Sequence, residues 1–490
     1  MKDDQFIKNL LEIKEWHSFE CKRMAVQPAK LLETVVAFAN TDGGIIALGL
    51  EDPKKAKSNE RIIGISENPE NLSEFLKLID KEIDPLLKNL KEIELDVINR
   101  AGEKDKILLI QVFKSDSIHS LKKGETFVRK GSQNVKITAS EITRLQYEKG
   151  SIKYEFESAR LSDLTSVDEL LFRKLKQDTN SLDEDDWQFL RDNGLAGFNQ
   201  NKNKPFLNIA GALLLCKNPA VTLGSKCSIK ISHLYGTSIN YSGEPNFVRR
   251  PISIEGPLIQ QISATIDYFR DVIKSSPPRL SGSTFRPSFL VPEWAFQEAI
   301  TNAVIHRNYS IQNDIQVRFF DDRIEVESPG VYPGHITPGN IISERFSRNP
   351  LIQRTLNRFQ SAPNLDIGEG VDRMFKIMRE ANLYDPLFSP TTIKPNSVLL
   401  TLFNLQKVEF WDIVSKYLTD NYKITNNEAR KITGIDDTLR MSRLLKTWVD
   451  KGLLEKVGVA DKRNIFYRKP GSEPSVSFST ADENENTIYK

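Results

Sequence analysis

The chain has 490 residues, 39% of them hydrophobic and 27% charged, with 68 Lys and Arg against 66 Asp and Glu. At roughly 100–200 residues per domain this length asks for several units, and the composition excludes wholesale disorder. The formal charge of +2 excludes a uniformly basic nucleic-acid coat while leaving local basic patches open.

Three cysteines, Cys21, Cys216 and Cys227, form no C-x-x-C pair, so neither a zinc ribbon nor a disulfide framework is expected. No apolar run reaches the roughly 18–20 residues of a bilayer span. The start Met1-Lys2-Asp3-Asp4-Gln5 is unlike a signal peptide. The expectation is a cytoplasmic, multidomain α/β protein with no membrane contact.

In chain order, residues 28–39 carry helical apolar spacing, the turn Asn40-Thr41-Asp42-Gly43-Gly44 follows, and Ile45 to Leu50 reads as a buried strand. Glu92–Asn99 and Lys106–Phe113 read as a hairpin, and Thr138-Ala139-Ser140-Glu141 as a capping box. A polar stretch at 148–151 closes a first α/β domain, 1–150. Segment 151–289 is a linker or transducer region with an apolar run at 207–216, a strand at 229–234, a helix at 256–273 and a loop at 277–287. A third unit spans 290–405 and a fourth 406–469, and the polar tail 470–490 is expected to be disordered.

The fourth unit opens with a second capping box, Thr425 to Glu428, and Gly434 supplies a turn. A helix over 437–450 is predicted to face Leu439, Leu444, Leu445, Trp448 and Val449 inward and Arg440, Arg443 and Lys446 outward. A hairpin around Lys462 and Arg463 completes a pattern that looks like a winged helix-turn-helix, with these five cations as the phosphate footprint. Such modules also serve as docking or dimerisation units, and both readings stay open.

Two sets of residues carry chemistry. Glu15 and Glu20 precede the first helix and Asp52 follows the first strand. They are either a carboxylate set for a hard divalent cation or solvated charges paired with Lys22 and Arg23. E-x4-E-x-K, then F-A-N-T-x-G-G-x-I-x-x-G-x-x-D, then F-V-R-K-G-S resembles the AlbA-like domain of the Schlafen family over residues 8–148. The resemblance implies either metal-dependent RNA cleavage, with Glu15, Glu20 and Asp52 as the catalytic and metal-binding set, or nucleic-acid binding alone. Lys22, Arg129 and Lys130 are the candidate backbone contacts; the last two read equally as a hairpin-edge charge pair.

The second set is Glu298, Asn302 and His306, spaced i, i+4 and i+8 along one helix face. A carboxylate can orient water and an amide oxygen can ligate Mg²⁺, which suits phosphoryl chemistry; a plain polar stripe has the same spacing. E-A-I-T-N-A-V-I-H-R-N-Y, followed by D-R-I-E-V-E-S-P-G, R-N-P-L-I and G-E-G-V-D-R-M, resembles a branch of the GHKL-type ATPases over 290–404. The resemblance implies an α/β sandwich binding ATP with Mg²⁺, or Mn²⁺ in its place. Glu298 falls in the general-base position and Asn302 in that of the metal ligand. His306 and Arg307 fall at the helix end, as phosphate contacts or simply as its cap, and Ser328, Gly330, Arg348, Asn349, Gly368 and Gly370 are the further candidate nucleotide contacts. Two departures stand out: Ser328-Pro329-Gly330 replaces the usual Asp-x-Gly turn, and the box at Gly368-Glu369-Gly370 has two glycines where a phosphate-wrapping lid has more.

Together these readings give an ATP-responsive nucleic-acid-binding protein, DNA or RNA, of bacterial transcriptional regulation or antiphage defence. The alternatives are an ATP-controlled metal-dependent nuclease and a non-catalytic assembly scaffold. Schlafen cores pair two AlbA-like lobes and this chain carries one, so a homo-oligomer, a dimer or dimer of dimers, is expected.

Overall fold

A computed structural model describes residues 2–88, 90–199, 203–240, 244–275, 279–281, 284–286, 289–363, 369–389, 393–458 and 465–472. The fold is mixed α/β and divides into two compact units. One combines residues up to Ile142 with those from Val408, and the other is Thr143–Lys407.

In the first unit, described strands run in the order Phe19–Lys22, Gly44–Leu48, Lys104–Val112, Leu90–Ile98. The first two are parallel and the rest antiparallel. The parallel pair needs a crossover, supplied by the helix Pro28–Asn40, whose first position is a proline that loses no helical hydrogen bond there. Strand alternation then sorts the core. Ile46, Leu48, Leu108 and Ile110 pack with Leu31, Val35 and Phe38 of the crossover helix and with Phe75 and Ile79 of the helix Pro69–Glu82. Cys21, Ile45, Ala47, Ile107 and Leu109 pack on the other set, with Leu10, Leu11 and Ile13. The glycine at 43 is required: its φ is +82° and a Cβ would sit 2.8 Å from the Val112 carbonyl oxygen.

The expected hairpin is the pair Leu90–Ile98 and Lys104–Val112. The box at Thr138 makes both reciprocal bonds with Glu141 and opens the helix Ala139–Lys149. The C-terminal residues of this unit form the helices Trp411–Asp420, Asn426–Thr433 and Thr438–Asp450 and the antiparallel pair Glu455–Val457 and Phe466–Arg468. The box at Thr425 is complete, and Gly434 ends its helix in the left-handed conformation. Leu439, expected in the core, is 68% exposed. Asp437 caps the last helix, and its buried row is Met441, Leu445 and Trp448 at i, i+4 and i+7.

The second unit contains, among its described residues, a three-stranded sheet ordered Ala196–Asn199, Lys204–Asn208, Ser158–Leu161. It also contains a six-stranded sheet ordered Phe247–Ile254, Ile229–Leu234, Ile315–Phe319, Arg323–Pro329, Ser397–Phe403, Leu387–Phe388. The helices Leu258–Ser275 and Glu293–His306 pack together, with Phe269 stacked on Phe296 at 4.4 Å. The apolar run at 207–216 is not one element. Asn208 ends a strand and its side chain accepts from the Gly211 amide, starting the helix Ile209–Leu215. The segment expected as a loop at 277–287 contains the paired strands Arg279–Ser281 and Thr284–Arg286.

Candidate functional site

A cavity of about 520 Å³ opens in the second unit between the helix Glu293–His306, the strands Arg323–Pro329 and Ser397–Phe403, a wall at 330–348 and the start of the helix Gly370–Glu380. Glu298, Asn302, His306, Ser328, Gly330, Arg348 and Gly370 all line it. The helix brings the first three to one face because i, i+4 and i+8 stack along its axis. The Asn302 amide donates to Glu298 Oε1 at 2.8 Å. Burial holds the Glu298 carboxyl above its ordinary pKa, against the opposing pull of that hydrogen bond and of Arg373. Gly370 abuts the same carboxylate, and a Cβ there would overlap it. At the strand end Gly330 has φ +112°, with no room for a Cβ beside Asn308 at 2.7 Å.

His306 lines the cavity half-buried, and desolvation pushes its pKa down to about 4. It is therefore a neutral imidazole at pH 7, with Nδ1 unpartnered among the described residues. The Ser328 hydroxyl donates to the Ala303 carbonyl at 2.8 Å, which leaves only lone pairs for any other group.

Three residues expected at the nucleotide serve the backbone. Arg348 is buried and donates through Nη1 to the His306 carbonyl and through Nη2 to those of Glu148 and Val331. Asn349, 2% exposed, spends both amide hydrogens on the carbonyls of Ile305 and Arg307, at 2.7 and 2.8 Å. These carbonyls close the pocket helix, so R-N-P is the C-terminal cap of E-A-I-T-N-A-V-I-H. Arg307 does not line the cavity; its guanidinium donates to the carbonyls of Lys226, Ile311 and Asn313. Gly368 lies outside the described residues.

Trp294, Tyr332, Arg345, Phe346 and Arg373, the last inside the motif G-E-G-V-D-R-M, also line the cavity. Trp294 lies four residues before Glu298, the spacing that selected Asn302, and Arg373 sits 4.6 Å over its ring. Tyr332, Arg345 and Phe346 belong to the irregular wall, where no periodicity points to them.

The N-terminal candidates are arranged otherwise. Glu20 is 5% exposed and ion-paired with Lys22 and Arg129, both at 2.5 Å. Glu15 pairs with Lys22 at 3.1 Å, and Asp52 accepts from the Lys54 amide. Among the described residues no three His, Cys, Asp or Glu side chains lie close enough to hold a metal ion. Arg129, expected on a phosphate-facing loop, is 3% exposed. It donates to Glu20, to the Trp16 carbonyl and to Asn134. Lys130 beside it is exposed, because strand alternation turns it outward. Arg440, Arg443 and Lys446 are exposed as expected, Arg440 pairing with Glu409; Lys462 and Arg463 lie outside the described residues.

Residues 10–138 match the family model described as "Schlafen, AlbA_2". Residues 312–402 match the one described as "Putative ATP-dependent DNA helicase recG C-terminal". The chain joins an AlbA-like domain to an ATPase-like domain. The second match contains Ser328, Gly330, Arg348 and Asn349 and begins just after the helix of Glu298 and Asn302. A nucleic-acid-related, ATP-dependent protein follows at that level, with nucleotide and Mg²⁺ use implied by the ATPase-like domain. No curated protein matches the chain. Among solved structures, the DIP2311 protein from Corynebacterium diphtheriae aligns over 97% of this chain and 99% of its own, at 18% identity and a TM-score of 0.40. No described helix is long and apolar enough to cross a membrane.

Proposed function

We propose that the chain is an ATP-responsive nucleic-acid-binding protein whose central cavity takes Mg²⁺–ATP. The observation that carries this is the convergence of residues from separate sequence motifs, Glu298, Asn302, Ser328, Gly330 and Gly370, on one cavity. The lining fits the ligand. Gly370 keeps the space beside Glu298 free of side chain, and Asn302 and Glu298 offer the oxygen donors a hard cation takes. Bound ATP would supply the γ-phosphoryl group and a change of charge in the cavity. Asn302 would hold the cation, Glu298 would orient water, and Arg345 and Arg373 on the rim would meet phosphate charge. The aromatic groups Tyr332 and Phe346 would give the base an apolar surface.

The AlbA-like domain, with exposed Lys130, and the C-terminal helices in a winged-helix role, with Arg440, Arg443 and Lys446, would contact nucleic acid in a closed dimer. Regulation of transcription or of antiphage defence is the setting this combination suits. The ion-paired state of Glu20 supports binding rather than cutting. The test is calorimetry of Mg²⁺–ATP against wild type and Asn302→Ala. Binding by the wild type and at least tenfold weaker binding by the variant are expected; equal affinities would remove Asn302 from the site.

A further inference from the structure

Segment 147–155, which follows the AlbA-like domain in the chain, meets the cavity wall and the helix after it through Glu148, Lys149, Gly150, Lys153 and Glu155, while Ser151 and Ile152 between them are exposed. Arg348 donates to the Glu148 carbonyl at 2.6 Å, and the Gly334 amide donates to the Lys149 carbonyl at 2.9 Å. These are carbonyls from the last turn of the helix Ala139–Lys149, the groups a helix cannot satisfy by itself. Lys153 donates to the Ser347 carbonyl at 3.0 Å and lies 4.9 Å over the Phe346 ring. Glu155, fully buried, accepts from the amides of Leu351 and Ile352 at 2.9 and 2.8 Å, capping the helix that follows the wall. Gly150 has φ +74°, and a Cβ there would stand 3.2 Å from the Phe346 ring.

Phe346 and Arg348 also line the cavity. Arg348 also holds the His306 carbonyl, so one guanidinium ties the end of the pocket helix, the wall and the end of the helix Ala139–Lys149 together. Among the described residues it is a buried cation bonded only to carbonyls, each of which loses its partner if the wall shifts. Packed cores of this kind respond by stepping between arrangements rather than by gradual yielding.

We propose that segment 147–155 is the relay of the nucleotide site: filling the cavity displaces the wall at Phe346 and Arg348, and that displacement resets the backbone that follows the AlbA-like domain. The relay rests on the nucleotide reading of the cavity. Lys153 and Glu155 are positioning residues in it, since neither lines the cavity. Coupling of this sort changes affinity at a second site by about 5–150-fold.

The experiment uses the full chain and a non-hydrolysable ATP analogue with Mg²⁺. Calorimetry first establishes analogue binding, and hydrogen–deuterium exchange then compares residues 146–155 with and without the analogue. A change of at least threefold in exchange across 146–155 is expected in the wild type. In Lys153→Ala, and separately in Glu155→Gln, analogue affinity should stay within twofold while that exchange response falls by half or more. A protein that binds the analogue with no change at 146–155 overturns the relay and leaves the nucleotide reading standing. A protein that binds no analogue overturns both. Variants that keep the full exchange response remove Lys153 and Glu155 from the path and refute the proposal as stated.

Discussion

Replacing Asn349 distinguishes a capping role from a nucleotide contact. Both hydrogens of its amide are donated to buried carbonyls, those of Ile305 and Arg307, and the side chain is 2% exposed. Asn349→Ala strands two acceptors at the end of the pocket helix. At about 1–2 kcal/mol per buried polar group left without its partner, the cost is about 3 kcal/mol. For a unit of this size each kcal/mol moves the transition by about 2–4 °C, so the second unit should melt about 6–12 °C lower. Asn349→Asp keeps the shape, removes both donors and sets a carboxylate against two carbonyls, and should cost at least as much. Scanning calorimetry resolves the transition of the unit, and titration with Mg²⁺–ATP well below it measures affinity. A nucleotide contact gives the opposite pattern. Melting shifts under 2 °C in both variants, with nucleotide affinity down tenfold, would refute the cap.

Gly370→Ala should weaken Mg²⁺–ATP binding, because its methyl group turns the Glu298 carboxylate out of its place; unchanged affinity by calorimetry would show that the carboxylate moves aside at no cost to the site. Glu20→Gln should lower the stability of the AlbA-like domain by about 3 kcal/mol, since it leaves the buried Arg129 without its carboxylate partner. An unchanged urea midpoint would restore Glu20 to the role of a surface ligand with no packing duty. His306 is expected to make the second unit acid-sensitive. Its folded pKa of about 4 lies below the unfolded value of 6.5, so the unfolded chain binds the extra proton. Stability is then complete above about pH 6.5 and falls as pH drops towards 4, by up to about 3 kcal/mol. His306→Gln should flatten that slope in urea titrations at pH 5 and pH 7, and a slope equal to wild type would assign the acid sensitivity to another group.

What the sequence made legible followed from local rules. Capping boxes at Thr138 and Thr425 are contained within four residues, and both form. The hairpin of Leu90–Ile98 and Lys104–Val112 and the helix Pro28–Asn40 follow from alternation and helical spacing. The break inside 207–216 was hidden because Asn208 caps a helix whose every residue is apolar and buried, so its period leaves no trace in the hydrophobic pattern. Leu439 stands two residues before Met441, about 200° round the helix from it, and so faces away from the row Met441, Leu445 and Trp448.

The same distinction runs through the site. Glu298, Asn302 and His306 are joined by one helix, and their convergence could be read from spacing alone. The roles of Arg348, Asn349 and Arg129 could not, because a motif records which residue stands at a position and not which way it turns. A cation in a glycine-rich neighbourhood is equally suited to a phosphate and to a helix-end carbonyl, since both offer oxygen lone pairs. Burial separates the two cases. Asn349 and Arg129 are enclosed and spent on the chain itself, whereas Arg345 and Arg373 stand exposed at the cavity rim. Arg348 joins the classes: it lines the cavity and still spends its guanidinium on three segments of backbone. A residue placed so can sense a ligand only by giving up bonds that hold the fold, and that trade is what would make an occupied cavity felt at residue 148.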